Sequence, residues 1–275
     1  MSRSQSRTAD FYADPLVYDV LHAPGTRDDV SALLRIVRQF VRGRRPLRLL
    51  EPACGSGRFV VELAARGHHA TGFDRSARMV TYAKARAKER GLGPRARFFP
   101  ADMRTFARGR RLPPFDVAFN LINSIRHLPS DAAMVEHLRQ VRSALRPGGV
   151  YLVGLSLCAY GLESETEDVW RGARGPLRVT QVVQYLPPPG REGSSRNERV
   201  VSHMTVTRRG LPPVHVDSTY QLRGYDLEQW RRVAARAGMP VVACVASDGR
   251  RRCEPVEPGY YVFALGGDPT VSAAR

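Results

Sequence analysis

The sequence predicts an α/β protein with a small antiparallel β-lobe inserted between the fifth strand and the last helix of a larger layered domain. Three observations predict it. Residues 47–50 form a short, mostly apolar run that reaches Glu51, followed by a small-residue loop with Gly55 and Gly57 and then by Phe59, Val60, Leu63 and Ala64 at helical spacing. Four more short apolar runs follow, at 70–73, 97–99, 115–119 and 150–157, the pattern of a layered sheet with helical connections. Residues 158–223 are far too long for an ordinary connection and hold three alternating segments, 177–185, 200–208 and 214–223.

Taken in order, residues 1–10 are polar and carry no predicted element, so they are expected to be disordered. Residues 11–24 are rich in aromatic and polar groups, with Tyr12, Tyr18, Asp19 and His22. Thr26 with Asp29 reads as the start of a helix through residue 42, with Val30, Leu33, Leu34, Val37 and Val41 on one face. Glycines in the next loop let the backbone pass close to a ligand, and the helix that follows adds unpaired N–H groups. The dinucleotide pattern is incomplete, because Arg58, Phe59 and Val60 follow Gly57 where its third glycine would come.

The second strand ends in Asp74, at the position where nucleotide-binding βαβ units hold ribose hydroxyls. A helix over 76–90 carries Met79. The third strand leads to Asp102 and Met103, and the fourth to Asn120. Residues 131–145 present Met134, Leu138, Val141 and Leu145 on one helical face, and Arg146-Pro-Gly-Gly149 turns into the fifth strand. Asp226 with Gln229 forms a capping-box pattern ahead of a stripe of Leu227, Trp230, Val233 and Ala237, and Gly238 is placed to end that helix. Residues 241–247 and 260–265 read as the last two strands.

Of 275 residues, 43 are basic and 26 acidic, a net charge of +17 that raises nucleic acid as a partner. Lys84 and Lys88 are the only lysines, and the arginines are spread over many elements without interleaved aromatics, so a solvated surface is the better reading. An acidic substrate or polyanion stays as the alternative. No run approaches a membrane span, and the polar first ten residues lack the apolar core of a secretory signal, so a cytoplasmic protein is expected. Cys54, Cys158, Cys244 and Cys253 show no paired spacing and read as reduced thiols, and no metal cluster is evident.

Five stretches in order resemble the class I S-adenosylmethionine-dependent methyltransferases: Glu51-Pro-Ala-Cys-Gly-Ser-Gly57, Gly72-Phe-Asp74, Ala101-Asp102-Met103, Phe115-Asp116-Val117 and Leu145-Arg-Pro-Gly-Gly-Val150. The resemblance implies a Rossmann-like, seven-stranded, mostly parallel sheet whose last strand is antiparallel, with S-adenosylmethionine as cofactor. It implies that Glu51 and the Ala53, Gly55 and Gly57 backbone hold the methionine part, Asp74 the ribose, and Asp102 and Met103 the adenine. Met79 would pack on the adenine, and Asn120 would face the cofactor's amino group.

Residues 27–157 and 224–267 are then the cofactor-binding core and 158–223 a lobe capping the substrate. Residues 1–26 would be a pocket-covering segment, and 268–275 a flexible tail. This layout looks like the glycine N-methyltransferase-like and amino-sugar N-methyltransferase branches. Methyl transfer from a sulfonium is an in-line displacement that needs alignment and exclusion of water more than a strong acid. His127 is the general-base candidate, with Asn123 and Tyr18 beside it; Tyr12, Arg223 and Tyr225 are candidate substrate contacts.

The expected activity is transfer of a methyl group to nitrogen or oxygen of a small molecule. The alternatives are an RNA or protein methyltransferase using the basic surface, and a non-catalytic cofactor-binding protein. The sequence leaves the assembly open, a homodimer being one arrangement.

Overall fold

The computed structural model describes residues 5–8, 13–42 and 46–266. Along the chain run β1 (Gln5–Thr8), α1 (Pro15–His22), α2 (Thr26–Phe40), β2 (Arg48–Pro52), α3 (Arg58–Ala65), β3 (His69–Asp74), α4 (Ala77–Glu89), β4 (Ala96–Pro100) and β5 (Phe115–Asn120). Then come α5 (Asp131–Ala144), β6 (Leu145–Leu157), β7 (Thr166–Arg174), β8 (Leu177–Leu186), β9 (Asn197–Arg208), β10 (Val214–Arg223), α6 (Leu227–Arg236), β11 (Val241–Val245) and β12 (Gly259–Gly266).

Seven strands form one sheet in the order β4-β3-β2-β5-β6-β12-β11, and only β12 runs against the rest. The fold is therefore the expected Rossmann-like sheet with its last strand reversed. Neighbouring residues on these strands face opposite layers, as the period of two requires. Leu49, Val117, Phe119 and Leu152 pack with Val30, Leu33 and Val37 of α2 and Phe59, Val60 and Leu63 of α3. Leu50, Ala118, Tyr151 and Val153 pack instead with Met134, Leu138 and Val141 of α5 and Trp230 and Val233 of α6.

Helix starts follow local chemistry. Ser76 accepts a hydrogen bond from the Met79 amide and Ser130 from the Ala133 amide, and Asp226 and Gln229 complete a capping box. Helix α2 starts at Thr26 as expected, but without a side-chain cap. Gly25, with φ 78°, is its N-cap; the Thr26 hydroxyl donates backwards to the Ala23 carbonyl, and Asp29 is drawn into an ion pair with Arg58 at 2.8 Å.

The second sheet, β1-β10-β9-β8-β7, is the inserted lobe, antiparallel except for β1. Here the expectation of disorder over residues 1–10 is corrected for Gln5–Thr8, which pairs in parallel with Val214–Asp217. The reason is physical: an edge strand offers unpaired backbone groups, and pairing with it needs no apolar pattern in the added strand. The lobe also has a strand, β7, beyond the three alternating segments read from the sequence. Residues 1–4, Tyr12 and the tail assigned to 268–275 lie outside the described residues.

Helix α1 joins the two sheets. Asp14 caps it by accepting from the Leu16 and Val17 amides, with Pro15 at its first turn. Val17, Val20 and Leu21 pack against Leu177, Val179, Met204 and Val206 of the lobe. At Gly172 on β7, an added Cβ would stand 2.1 Å from the Val20 carbonyl oxygen, so only glycine lets the strand approach the helix this closely.

Candidate active site

The crossover from β2 to α3 makes a backbone cradle. Ala53, Gly55 and Gly57 have φ of 53°, 51° and 72°, so three of five consecutive residues are left-handed. Asp74, at the end of β3, ties the cradle down: one carboxylate oxygen accepts from the Gly55 amide at 2.9 Å and the other from the Ser76 amide at 2.8 Å. Burial raises the Asp74 pKa, and these amides and Arg75 oppose it.

Glu51 is 8% exposed, and its Oε2 is buried with no hydrogen-bond partner. Burial pushes its pKa well above the carboxylate range, with Arg58 acting against the shift. A buried acid oxygen left open toward a cavity fits a cationic ammonium group, which would satisfy the oxygen and favour its ionised form. The donor chemistry of this cradle therefore fits the amino-acid end of S-adenosylmethionine.

Helix α1 lies over the cradle. The Tyr18 ring is 3.2 Å from where a Cβ on Gly55 would be, and burial lifts its phenol to about 12. Next to it, Asp19 is fully buried and gathers four partners from separate elements. It accepts from the hydroxyls of Ser56 (2.7 Å) and Tyr82 (3.1 Å) and pairs with Arg86 (2.5 Å) and Arg174 (2.6 Å). Burial alone would raise its pKa; Ser56, Arg86 and Arg174 outweigh burial and hold it low.

A cavity of about 150 Å³ runs from this cradle, lined by Tyr18, His22, Glu51, Ala53, Asn120 and His127 among others. It adjoins a larger one of about 640 Å³ between the sheets, with Ile122, Asn123, Trp170, Tyr185 and Leu222 lining both. The junction is the loop after β5. Ile122 and Asn123 have φ of 67° and 60°, a conformation that strains a β-branched residue. Side chains hold the loop in place. The Asn123 amide donates to Ser156 Oγ at 2.9 Å and accepts from the Ser156 amide at 2.7 Å. Asn120 donates to the Pro52 carbonyl at 2.8 Å and accepts from the Ile125 amide at 2.9 Å, fastening β5 to β2.

The structure thus brings Tyr18, Glu51, Ala53, Asn120, Asn123 and His127 to one cavity, beside the Gly55–Gly57 cradle and Asp74. Asn123 lines both cavities and is held by Ser156, which fixes the shape of the loop. Met79 is buried in the first turn of α4, 1% exposed. Asp102 and Met103 lie beyond the end of β4 and outside both cavities. Asp102 accepts from the Arg104 amide at 2.8 Å and pairs with its guanidinium at 3.0 Å, which lowers its pKa, and the Met103 carbonyl lies 3.0 Å from His137.

Arg223 and Tyr225 do not reach the cleft, and their assignment as substrate contacts is corrected. Arg223 pairs with Asp131 at 2.9 Å and donates to the Gly193 carbonyl, and Tyr225 is fully buried against Trp230 and under Arg196. Strand alternation is the reason: Leu222 takes the inward position of β10, so Arg223 turns to the outer side.

The sequence reading missed His22, Trp170, Tyr185 and Glu198. His22 lies between Tyr18 and Trp170, with ring centroids 4.4 and 5.8 Å away, and burial lowers its pKa to about 4. Its only sequence signal was its place one helical turn after Tyr18.

Buried neutral histidines give a pH dependence. His137 is also lowered to about 4, first by burial. Unfolded, both titrate near 6.5. The folded chain resists their protonation, so their contribution is complete above pH 6.5 and is lost as pH falls toward 4. At about 1.4 kcal/mol per pKa unit, each is worth on the order of 3 kcal/mol. Urea midpoints are expected to drop steadily through that window; a flat profile would contradict both placements.

Comparison with known proteins agrees with this fold. Residues 49–149 match the family model described as a methyltransferase domain. The chain is 25% identical over 227 residues to dTDP-3-amino-3,4,6-trideoxy-alpha-D-glucopyranose N,N-dimethyltransferase of Streptomyces venezuelae, covering 82% of this chain and 89% of that protein. Among solved structures, DesVI of Streptomyces venezuelae superposes with a TM-score of 0.71 at 20% identity, covering 95% of this chain and all of that one. The sugar N-methyltransferase KedS8 of a Streptoalloteichus species superposes with a TM-score of 0.70 at 19% identity, covering 98% of both chains. No helix among the described residues is long and apolar enough to cross a membrane.

Proposed function

We propose that the chain is a class I S-adenosylmethionine-dependent methyltransferase that methylates an amino nitrogen on a small, sugar-like acceptor held under the β-lobe, a reading supported by the methyltransferase-domain match over residues 49–149. Glu51, the Ala53–Gly57 backbone and Asp74 would hold the cofactor. Bound there, S-adenosylmethionine supplies an electrophilic methyl carbon on a sulfonium whose leaving group is a neutral thioether.

The observation that supports the choice of nitrogen is that neither Tyr18 nor His22, at the donor end of the cavity, is poised to take a proton from a hydroxyl, which leaves that duty to the exposed His127. Tyr18, pushed up to about 12, stays a phenol, and the Asn123 amide is held by Ser156. His22, lowered to about 4, can accept a hydrogen bond but is too weak a base to keep a proton. A hydroxyl acceptor would want a stronger base than Tyr18 or His22. An amine entering as its free base needs only alignment and a dry site. The cleft would hold the amine's lone pair toward the donor methyl group, and the proton the methylated nitrogen gives up would pass to water. His127, exposed at the cavity edge with its ring 5.3 Å from Tyr220, is placed to orient the acceptor. The chain's similarity to a sugar-amine dimethyltransferase supports the sugar part of this reading.

Incubation with S-adenosylmethionine and amino sugars, followed by mass spectrometry, tests it. The reading expects one or two methyl increments on nitrogen together with release of S-adenosylhomocysteine. Methylation of oxygen alone, or of deaminated analogues equally well, would overturn it.

A further inference from the structure

The sign of charge in the acceptor cleft is opposite to that of the molecule. The chain carries 43 basic residues against 26 acidic ones. Yet the larger cavity presents Glu163, Asp168 and Glu198 and a single basic side chain, Arg126. That arginine is itself neutralised: it is 3% exposed, its Nη2 lies 2.7 Å from Glu198 Oε2, and its Nε donates to the Arg223 carbonyl at 2.9 Å. At the donor end the same holds for Arg58, paired with Asp29 at 2.8 Å. Among the described residues, no arginine lining the cleft is left to meet a phosphate, although arginines abound elsewhere.

Three further features point the same way. The acids come from separate elements, the β6–β7 connection, β7 and β9, yet converge on one cavity that adjoins the donor cradle. Asp168 stands two residues before Trp170, on the same face of β7, and Trp170 and Tyr185 line the passage between the two cavities. Aromatic faces beside carboxylates are the chemistry that receives an ammonium group. Of the three acids Glu198 is paired with Arg126, while Glu163 and Asp168 make no ion pair among the described residues.

We propose that the acceptor is a small polyamine of the amino-sugar kind, with a second ammonium group seated among Asp168, Glu163 and Glu198 while the reacting amine faces the donor, and that phosphate-linked acceptors are disfavoured. This rests on the amine-acceptor reading above and narrows it. It separates this chain from its relative named for a dTDP-linked sugar. It also counts against nucleic acid, because polyanions would meet uncompensated acids here.

The test compares three acceptors with the full-length protein: neamine, which carries several amino groups; glucosamine, which carries one; and dTDP-glucosamine, which adds a diphosphate. KM is expected to rise in that order. Asp168→Asn is expected to raise KM for neamine roughly fivefold at moderate salt, with kcat and S-adenosylhomocysteine affinity unchanged. A lower KM for dTDP-glucosamine than for neamine, or an unchanged neamine KM in Asp168→Asn, would overturn the inference while leaving N-methylation standing. No methylation of any of the three, with S-adenosylhomocysteine still bound, would overturn the amine reading itself.

Discussion

Replacing Asp19 with alanine is expected to cost about 3 kcal/mol of stability and to weaken cofactor binding together. The carboxylate is fully buried and pairs with Arg86 and Arg174 while accepting from Ser56 and Tyr82. Removing one partner of a buried ion pair typically costs about 3–5 kcal/mol because the other charge is left uncompensated. Arg174 is half-exposed and can turn to water, which places the effect at the lower end.

The functional consequence follows from position. Asp19 fixes α1, α1 carries Tyr18 onto Gly55, and Arg174 reaches from the same lobe strand that carries Trp170. Loosening α1 therefore opens the cradle and shifts the lobe's aromatic wall at once. Asp19→Asn keeps an acceptor for Ser56 and Tyr82 but loses the charge, and should recover part of both effects. Thermal melts and calorimetric titration with S-adenosylhomocysteine measure the two; a full loss of stability without loss of affinity would show that α1 does not cover the cofactor.

Asp74→Ala is expected to reduce S-adenosylhomocysteine affinity by about 1–3 kcal/mol, the range for lost hydrogen bonds at a buried acceptor. Two losses contribute. The carboxylate would no longer receive ribose hydroxyls, and the Gly55 and Ser76 amides would lose the oxygens that now hold the cradle in its left-handed turn. Asp74→Asn separates them, since one amide oxygen can still accept from Gly55. Unchanged affinity in the alanine variant would remove Asp74 from the site.

Much of this was legible in the sequence, for identifiable reasons. Buried parallel strands read as apolar runs, so β2, β3 and β5 stood out, and the turn residues between β2 and α3 marked the cradle. Strand β7 did not stand out, because Thr-Glu-Asp-Val-Trp-Arg-Gly-Ala-Arg faces an open cleft and carries no apolar alternation. Helix α1 has only eight residues, too few for periodicity to speak.

The acceptor cleft was least legible. Glu163, Asp168 and Glu198 meet only through strand pairing and the placement of the β6–β7 connection, and spacing along the chain does not encode that meeting. Arg223 and Tyr225 were misplaced for the same reason, since the side a residue takes at a strand end depends on register.

Donor and acceptor would meet where the two cavities join at the Ile122–Asn123 loop. A crystal structure with S-adenosylhomocysteine bound tests it most directly. The account predicts the adenosine along the ends of β2 and β3, the amino group on Glu51, and the sulfur facing that loop below Trp170 and Tyr185. Adenosine bound away from Asp74, or a sulfur pointing out of the cleft, would contradict it.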